Sequence, residues 1–139
     1  MSFRRWLFPS GYRAANYYNR GTLACRSGDW ISAEAQLRLA VGSWPDFPDA
    51  WHNLGIALAG QNRFEDAIQA YETALSQRRR FAEAWNNYGS ALAKAGRFDD
   101  ALEAFTQSLR YKPDYQKARE NMDFLNEVAQ RDSQKGTKT

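Results

Sequence analysis

The apolar residues of this chain follow a pattern that recurs every 34 residues. Within residues 48–81, one apolar stripe is spaced i, i+3, i+4, i+7, as in an amphipathic helix, and consists of Trp51, Leu54, Gly55 and Leu58. A second stripe of helical spacing follows after a polar break. The same pair of stripes occurs one step earlier and one step later, so the pattern predicts a stack of helical hairpins rather than a single nonrepetitive globule.

Small and helix-ending residues keep the same step. The small positions are Gly21, Gly55 and Gly89 in the first helices, and Ala33, Ala67 and Ala101 in the second helices. Two helices joined by a tight turn approach closely only where the facing side chains are small. Gly28, Asn62 or Gly96 stands between the helices of each pair, and these residue types tolerate the left-handed conformation that ends a helix.

These spacings divide the chain into a repeat domain of residues 14–130 and two flanking segments. The domain comprises three repeats, residues 14–47, 48–81 and 82–115, and a capping helix over 116–130. The apolar stripe of that capping helix consists of Ala118, Met122, Leu125 and Ala129. Residues 1–13 form an aromatic and basic N-terminal segment. Residues 131–139 are polar and without periodicity, which predicts a disordered tail.

Two of the three repeats carry the repeated residues most completely. They are Trp51, Leu54 and Gly55 with Ala67, Tyr71 and Ala74, and Trp85, Tyr88 and Gly89 with Ala101, Phe105 and Pro113. This set resembles the tetratricopeptide repeat family. The resemblance implies an all-α, right-handed superhelical α-solenoid of three helix-turn-helix repeats plus the capping helix. It also implies a concave groove that binds extended peptides. The first repeat departs from the family pattern, with Tyr17 and Arg20 at two of its positions.

Composition and charge exclude several functional classes. The net charge of +3 is spread along the chain without a basic stripe, which argues against nucleic-acid binding. No run of 18 apolar residues occurs, so we expect no membrane span and a cytoplasmic location. The single cysteine, Cys25, excludes an internal disulfide. His52 is the only histidine, and we find no glycine-rich phosphate loop, so we expect no metal, no cofactor and no catalysis.

The helix stripe opposite the packing face supplies the candidate peptide-binding groove. Its residues are Tyr18, Asn19, Arg26, His52, Asn53, Ile56, Asn86, Asn87, Lys94, Lys117, Asn121 and Phe124. One column of this stripe is always asparagine, at positions 19, 53, 87 and 121. A side-chain amide matches the paired N–H and C=O of an extended peptide backbone. The alternative is that each asparagine forms hydrogen bonds with the repeat scaffold itself.

The sequence therefore favours a non-catalytic adaptor that binds an extended peptide of a partner protein. Family members that bind the acidic C-terminus of a chaperone use a set of lysines, asparagines and an arginine in the groove. Only Asn53 matches that set, and the mismatches at Tyr18, Thr22, Glu83 and Asn87 disfavour a chaperone tail as ligand.

An alternative is an assembly or scaffolding subunit that self-associates through repeat edges or docks through the N-terminal segment. The apolar residues of that segment are Phe3, Trp6, Leu7 and Phe8. The segment has two possible roles: it covers the first repeat as a flap, or it makes a peripheral contact with a membrane surface or a partner protein.

Overall fold

A computed structural model describes residues 10–136, and within them the chain forms seven α-helices and no β-strand. The helices are α1 (Ser10–Ser27), α2 (Trp30–Ser43), α3 (Pro48–Gly60), α4 (Phe64–Gln77), α5 (Ala82–Lys94), α6 (Phe98–Tyr111) and α7 (Gln116–Gly136). Helices α3, α5 and α7 begin at 34-residue intervals, as do α2, α4 and α6. The predicted all-α repeat fold is confirmed. None of these helices is long and apolar enough to cross a lipid bilayer.

The helices form two compact units, each larger than one 34-residue repeat. The first unit ends at Arg79, and the second unit begins at Arg80. In the first unit, α1 packs against α2 and α3 against α4, and α3 also contacts α1 and α2. In the second unit, α5 and α6 form a hairpin, and α7 packs mainly on α6. Each unit therefore contains its own core of antiparallel helical hairpins.

The turn within each hairpin uses the left-handed residue that the sequence predicts. The φ angles are 74° at Gly28, 59° at Asn62 and 81° at Gly96. Glycine adopts this conformation without a Cβ penalty, and asparagine tolerates it better than most residues. The following helix α2 begins with an N-cap, because a side-chain oxygen of Asp29 accepts a hydrogen bond from the Ser32 amide at 3.1 Å.

The small residues of the first helices lie where a side chain of the second helix covers the backbone. A Cβ added at Gly55 would lie 2.5 Å from a ring carbon of Tyr71, and one added at Gly89 would lie 2.7 Å from a ring carbon of Phe105. Tyr71 and Phe105 are at most 2% exposed. These two contacts bring each pair of helices close together and fix the core of each hairpin.

Both ends of the repeat domain differ from the sequence-based expectation. Helix α7 continues through Gly136 instead of ending near residue 130, so the predicted disorder is wrong for residues 131–136. The Ser133 hydroxyl donates to the Ala129 carbonyl at 2.9 Å, and polar residues without an apolar stripe can extend an existing helix. At the other end, helix α1 already begins at Ser10. Residues 1–9, which include Phe3, Trp6, Leu7 and Phe8 of the predicted N-terminal segment, and residues 137–139 lie outside the described part of the chain.

Candidate functional site

A cleft in the second unit brings together part of the predicted groove. It has a volume of about 400 Å³ and lies between α5, α6 and α7. Its lining residues are Ser90, Ala93, Lys94, Phe98, Phe105, Asn121, Phe124 and Leu125. Lys94, Asn121 and Phe124 belong to the set predicted from sequence. The repeat spacing of the first helices is what placed these three side chains on one surface.

The apolar part of this cleft combines a buried base with exposed rings. Phe105 and Leu125 are nearly fully buried, whereas the side chains of Phe98 and Phe124 remain 52% and 63% exposed. Sequence reasoning missed Phe98 and Phe105, because both match aromatic positions of the packing core in the repeat pattern. No signal in the sequence separates Phe98 from the aromatic residues of the core, because it keeps the 34-residue register of Trp30 and Phe64.

A network of amides and a hydroxyl forms the polar edge of the cleft. The Nδ2 of Asn121 donates to Asn86 Oδ1 at 3.0 Å and lies 3.5 Å from the Ser90 hydroxyl, which itself donates to the Asn86 carbonyl at 3.1 Å. Asn86 is only 4% exposed, so it holds Asn121 in place and presents little surface. Within residues 10–136, Oδ1 of Asn121 and the Lys94 ammonium have no bonding partner.

The first unit holds a similar asparagine on α3. Asn53 Nδ2 donates to the Thr22 hydroxyl at 2.9 Å, and the Cys25 thiol lies 3.9 Å from the Asn53 carbonyl oxygen. Both Asn53 and Asn121 therefore bond to a first helix of their own unit through the amide nitrogen. The acceptor atom Oδ1 of Asn53 makes no bond to another described residue.

His52 lies in the interior of the first unit. Its side chain is 6% exposed, and its ring centroid is 5.9 Å from that of Tyr71. The pKa of His52 is lowered from 6.5 to about 4, because the effect of burial outweighs the Asp49 carboxylate, which raises the pKa, and the Arg78 charge adds a smaller lowering. The imidazole is therefore neutral at pH 7, and its small exposed area leaves little for a ligand to contact.

The other predicted groove residues divide between the two units. In the first unit, Tyr18 and Ile56 are partly buried, and the Tyr18 ring centroid is 4.9 Å from that of Phe47. Asn19 and Arg26 are exposed, as is Lys117 in the second unit. Asn87 is partly buried, and its side-chain oxygen Oδ1 lies 3.5 Å from the side-chain nitrogen Nδ2 of Asn86. No three His, Cys, Asp or Glu side chains among residues 10–136 are placed to hold a metal ion.

Several solved structures share this fold at low sequence identity. The tetratricopeptide repeat domain of Arabidopsis OM64 has a TM-score of 0.83 and 18% identity, and the match covers 85% of this chain and 98% of that domain. MamA has a TM-score of 0.80 and 22% identity, over 84% and 68% of the two chains. The first tetratricopeptide repeat domain of Spaghetti (RPAP3), bound to an HSP90 peptide, has a TM-score of 0.83 and 16% identity, over 86% and 94%. These likenesses establish the fold.

A sequence profile gives the family assignment independently of the structure. Among curated proteins, none matches the chain significantly. The profile of the tetratricopeptide repeat, however, matches residues 18–78 and again residues 52–116. Together the two matches span most of the chain and agree with the hairpins described above. The chain belongs to the tetratricopeptide repeat family.

Proposed function

We propose that this protein is a non-catalytic adaptor whose cleft in the second unit binds an extended peptide segment of a partner protein. The observation that carries the proposal is the pairing of exposed aromatic rings with unpaired polar atoms in one cleft. Its volume of about 400 Å³ is in the usual range for a binding site, and the mixture of apolar and convergent polar groups is typical of such sites.

The lining of the cleft defines the chemistry of the peptide. The rings of Phe98 and Phe124 offer apolar contact for one bulky side chain. The side-chain oxygen Oδ1 of Asn121 can accept a hydrogen bond from a backbone N–H of the peptide, and the Lys94 ammonium favours a carboxylate nearby. The preferred ligand is thus an extended segment with an aromatic or aliphatic side chain next to an acidic residue.

The first unit offers a second set of contacts of the same kind. Asn53 presents an acceptor atom, and Asn19 and Arg26 are exposed on α1. We propose that these groups bind peptide backbone and acidic side chains as the cleft of the second unit does. The Asn53–Thr22 bond supports this role, because it fixes the asparagine in one rotamer before a ligand arrives and so lowers the entropic cost of binding.

The structures bound to chaperone peptides support peptide binding in general but not that ligand here. The RPAP3 domain described above was solved with the HSP90 peptide SRMEEVD. In this chain, the Thr22 hydroxyl already accepts a hydrogen bond from Asn53, and an acidic side chain occupies position 83. We therefore expect SRMEEVD to bind at least about tenfold more weakly than a selected peptide with an apolar anchor, a gap of about 1.4 kcal/mol.

A peptide selection followed by affinity measurements tests the cleft. Peptides selected against the full chain should lose about tenfold or more in affinity with the variant Phe124→Ala, because the variant removes an exposed ring from the contact. The matched control is Ile31→Ala, which truncates an apolar side chain that is 76% exposed on α2. Fluorescence anisotropy gives the affinities, and circular dichroism monitors helicity. Equal affinity in the wild-type protein and the Phe124→Ala variant would exclude this cleft.

A second candidate function is self-assembly through the first hairpin. Five of the large side chains that remain exposed in the described chain lie in or next to that hairpin, namely Tyr12, Leu23, Ile31, Leu39 and Trp44. Exposed apolar surface of this kind is typical of protein interfaces. Sedimentation velocity across a hundredfold range of concentration tests for a second copy as the occupant, and a monomer at every concentration excludes it.

A further inference from the structure

A second cleft of the second unit lies where the beginning of α5 meets the end of α6. It has a volume of about 480 Å³ and shares no lining residue with the cleft described above. Its lining residues are Arg80, Ala82, Arg110, Tyr111 and Lys112. Three of these five residues are cationic. This cleft therefore differs from the aromatic cleft in both position and chemistry.

The positive charge in this cleft is not neutralised by the described part of the protein. Arg80 and Arg110 make no ion pair with any acidic residue among residues 10–136. The Lys112 ammonium lies over the Tyr115 ring, 5.0 Å from its centroid, and also has no carboxylate partner there. Glu83, in the first turn of α5, does not approach any of the three closely enough to form an ion pair.

The corresponding place in the first unit, 34 residues earlier, shows what a closed version looks like. Arg78 occupies the position of Lys112, and its guanidinium donates two hydrogen bonds to the Asp49 carboxylate, at 2.9 and 2.8 Å. Positions 80 and 110 correspond to Asp46 and Ser76, which are not cationic. The same place in the hairpin thus has one cation paired with a carboxylate in the first unit and three cations without a carboxylate partner in the second.

We propose that the basic cleft of the second unit binds a phosphate group carried by a phosphorylated side chain of a partner protein. Arginine guanidinium groups match the oxygens of phosphate in a bidentate geometry, and a phosphate carries a charge of about −1.5 to −2 at pH 7, which suits three cations better than a single carboxylate does. A protein source is favoured over a lipid headgroup. The exposed large apolar side chains of this unit, Phe98 and Phe124, line the other cleft and are not placed beside this one for insertion into a bilayer.

An NMR titration of the full chain tests the proposal. The probe is a short peptide containing one phosphoserine, and the reference is the same peptide with serine. The phosphopeptide should shift the backbone amide signals of Ala82 and Tyr111 with saturation, and the serine peptide should not. Inorganic phosphate should shift the same signals at higher concentration, whereas sodium chloride at matched ionic strength should not. Equal shifts with both peptides, or with chloride alone, would refute a phosphate site.

Variants assign the effect to the cations. Each exposed ion pair contributes up to about fivefold in affinity, so Arg80→Gln combined with Arg110→Gln should weaken phosphopeptide binding by up to about 25-fold. Because both side chains are exposed, the helical content should not change. Arg110→Lys retains the charge and should recover part of the affinity. Unchanged affinity in the double variant would refute the proposal.

A control separates this site from the peptide cleft, and a vesicle assay tests the lipid alternative. Lys94→Gln lies in the aromatic cleft and should leave phosphopeptide binding unchanged, so failure here does not depend on the function of that cleft. Sedimentation with vesicles containing phosphatidic acid should show no binding that depends on Arg80 and Arg110. Binding of that kind, without a response to the phosphopeptide, would assign the cleft to a membrane surface and overturn the proposal.

Discussion

Acidification should destabilise this protein through its single histidine. The pKa of His52 is lowered from 6.5 to about 4 in the folded state, because burial of the ring outweighs the opposing effect of the Asp49 carboxylate. The unfolded chain therefore binds a proton below pH 6.5 that the folded chain does not bind until about pH 4. This contribution to stability is fully present above pH 6.5 and is lost as the pH falls toward 4.

The size of this effect follows from the shift in pKa. One unit of pKa corresponds to 1.36 kcal/mol, so the interval from 6.5 to about 4 gives a loss of about 3 kcal/mol. A loss of this size is a large part of the net stability of a typical domain, which is about 5–15 kcal/mol. Urea unfolding between pH 4 and pH 8 should therefore show the midpoint falling steeply below pH 6.5.

The variant His52→Gln isolates the histidine from the carboxylates, which also titrate in this range. Glutamine stays neutral and preserves hydrogen-bonding capacity. Between pH 7 and pH 4 the wild-type protein should therefore lose about 3 kcal/mol more of its free energy of unfolding than the variant does. Because the chain has one histidine, its imidazole signals in an NMR titration are unambiguous. An imidazole pKa near 6.5 in the folded protein, or parallel stability curves, would refute the reasoning.

Two further substitutions test the packing and capping of the hairpins. Gly55→Ala should lower the free energy of unfolding by about 1–2 kcal/mol, because the added methyl group meets the buried Tyr71 ring and overpacking outweighs the gain in helix propensity. Its control is Gly42→Ala, where a Cβ meets no atom within 4 Å and stability should rise by up to about 1 kcal/mol. Asp29→Ala should cost about 1 kcal/mol by removing the N-cap of α2, measured by urea unfolding. Equal stability of the two glycine variants, or an unchanged midpoint for Asp29→Ala, would contradict these assignments.

The sequence predicts the fold well because its signals are local and repeated. The left-handed turns at Gly28, Asn62 and Gly96 follow from residue type and position within the repeat, and the structure has all three. Helix starts follow from the same register. The C-terminal end of α7 was not predicted, because helix extension through polar residues leaves no apolar stripe to detect.

The candidate site is less visible in the sequence, because a helix stripe gives the direction of a side chain but not its depth. His52 and Asn86 occupy equivalent positions on the predicted groove stripe, yet both are almost fully buried in their units. Asn53 donates to a hydroxyl 31 residues earlier, at Thr22, and Nδ2 of Asn121 lies 3.5 Å from the hydroxyl at the same offset, Ser90, in addition to its shorter bond to Asn86. That offset is readable in the sequence once the hairpin geometry is known.

The pairing of a glycine with the side chain that covers it has a consequence for how the chain acquires its structure. In each of the three hairpins, the two residues are 16 positions apart, as with Gly21 and Leu37, or Gly55 and Tyr71. A loop this short costs little entropy to close, and local contacts favour fast folding. Each hairpin therefore brings its own closest contact with it, and a circular permutation that cuts the chain between hairpins should preserve all three.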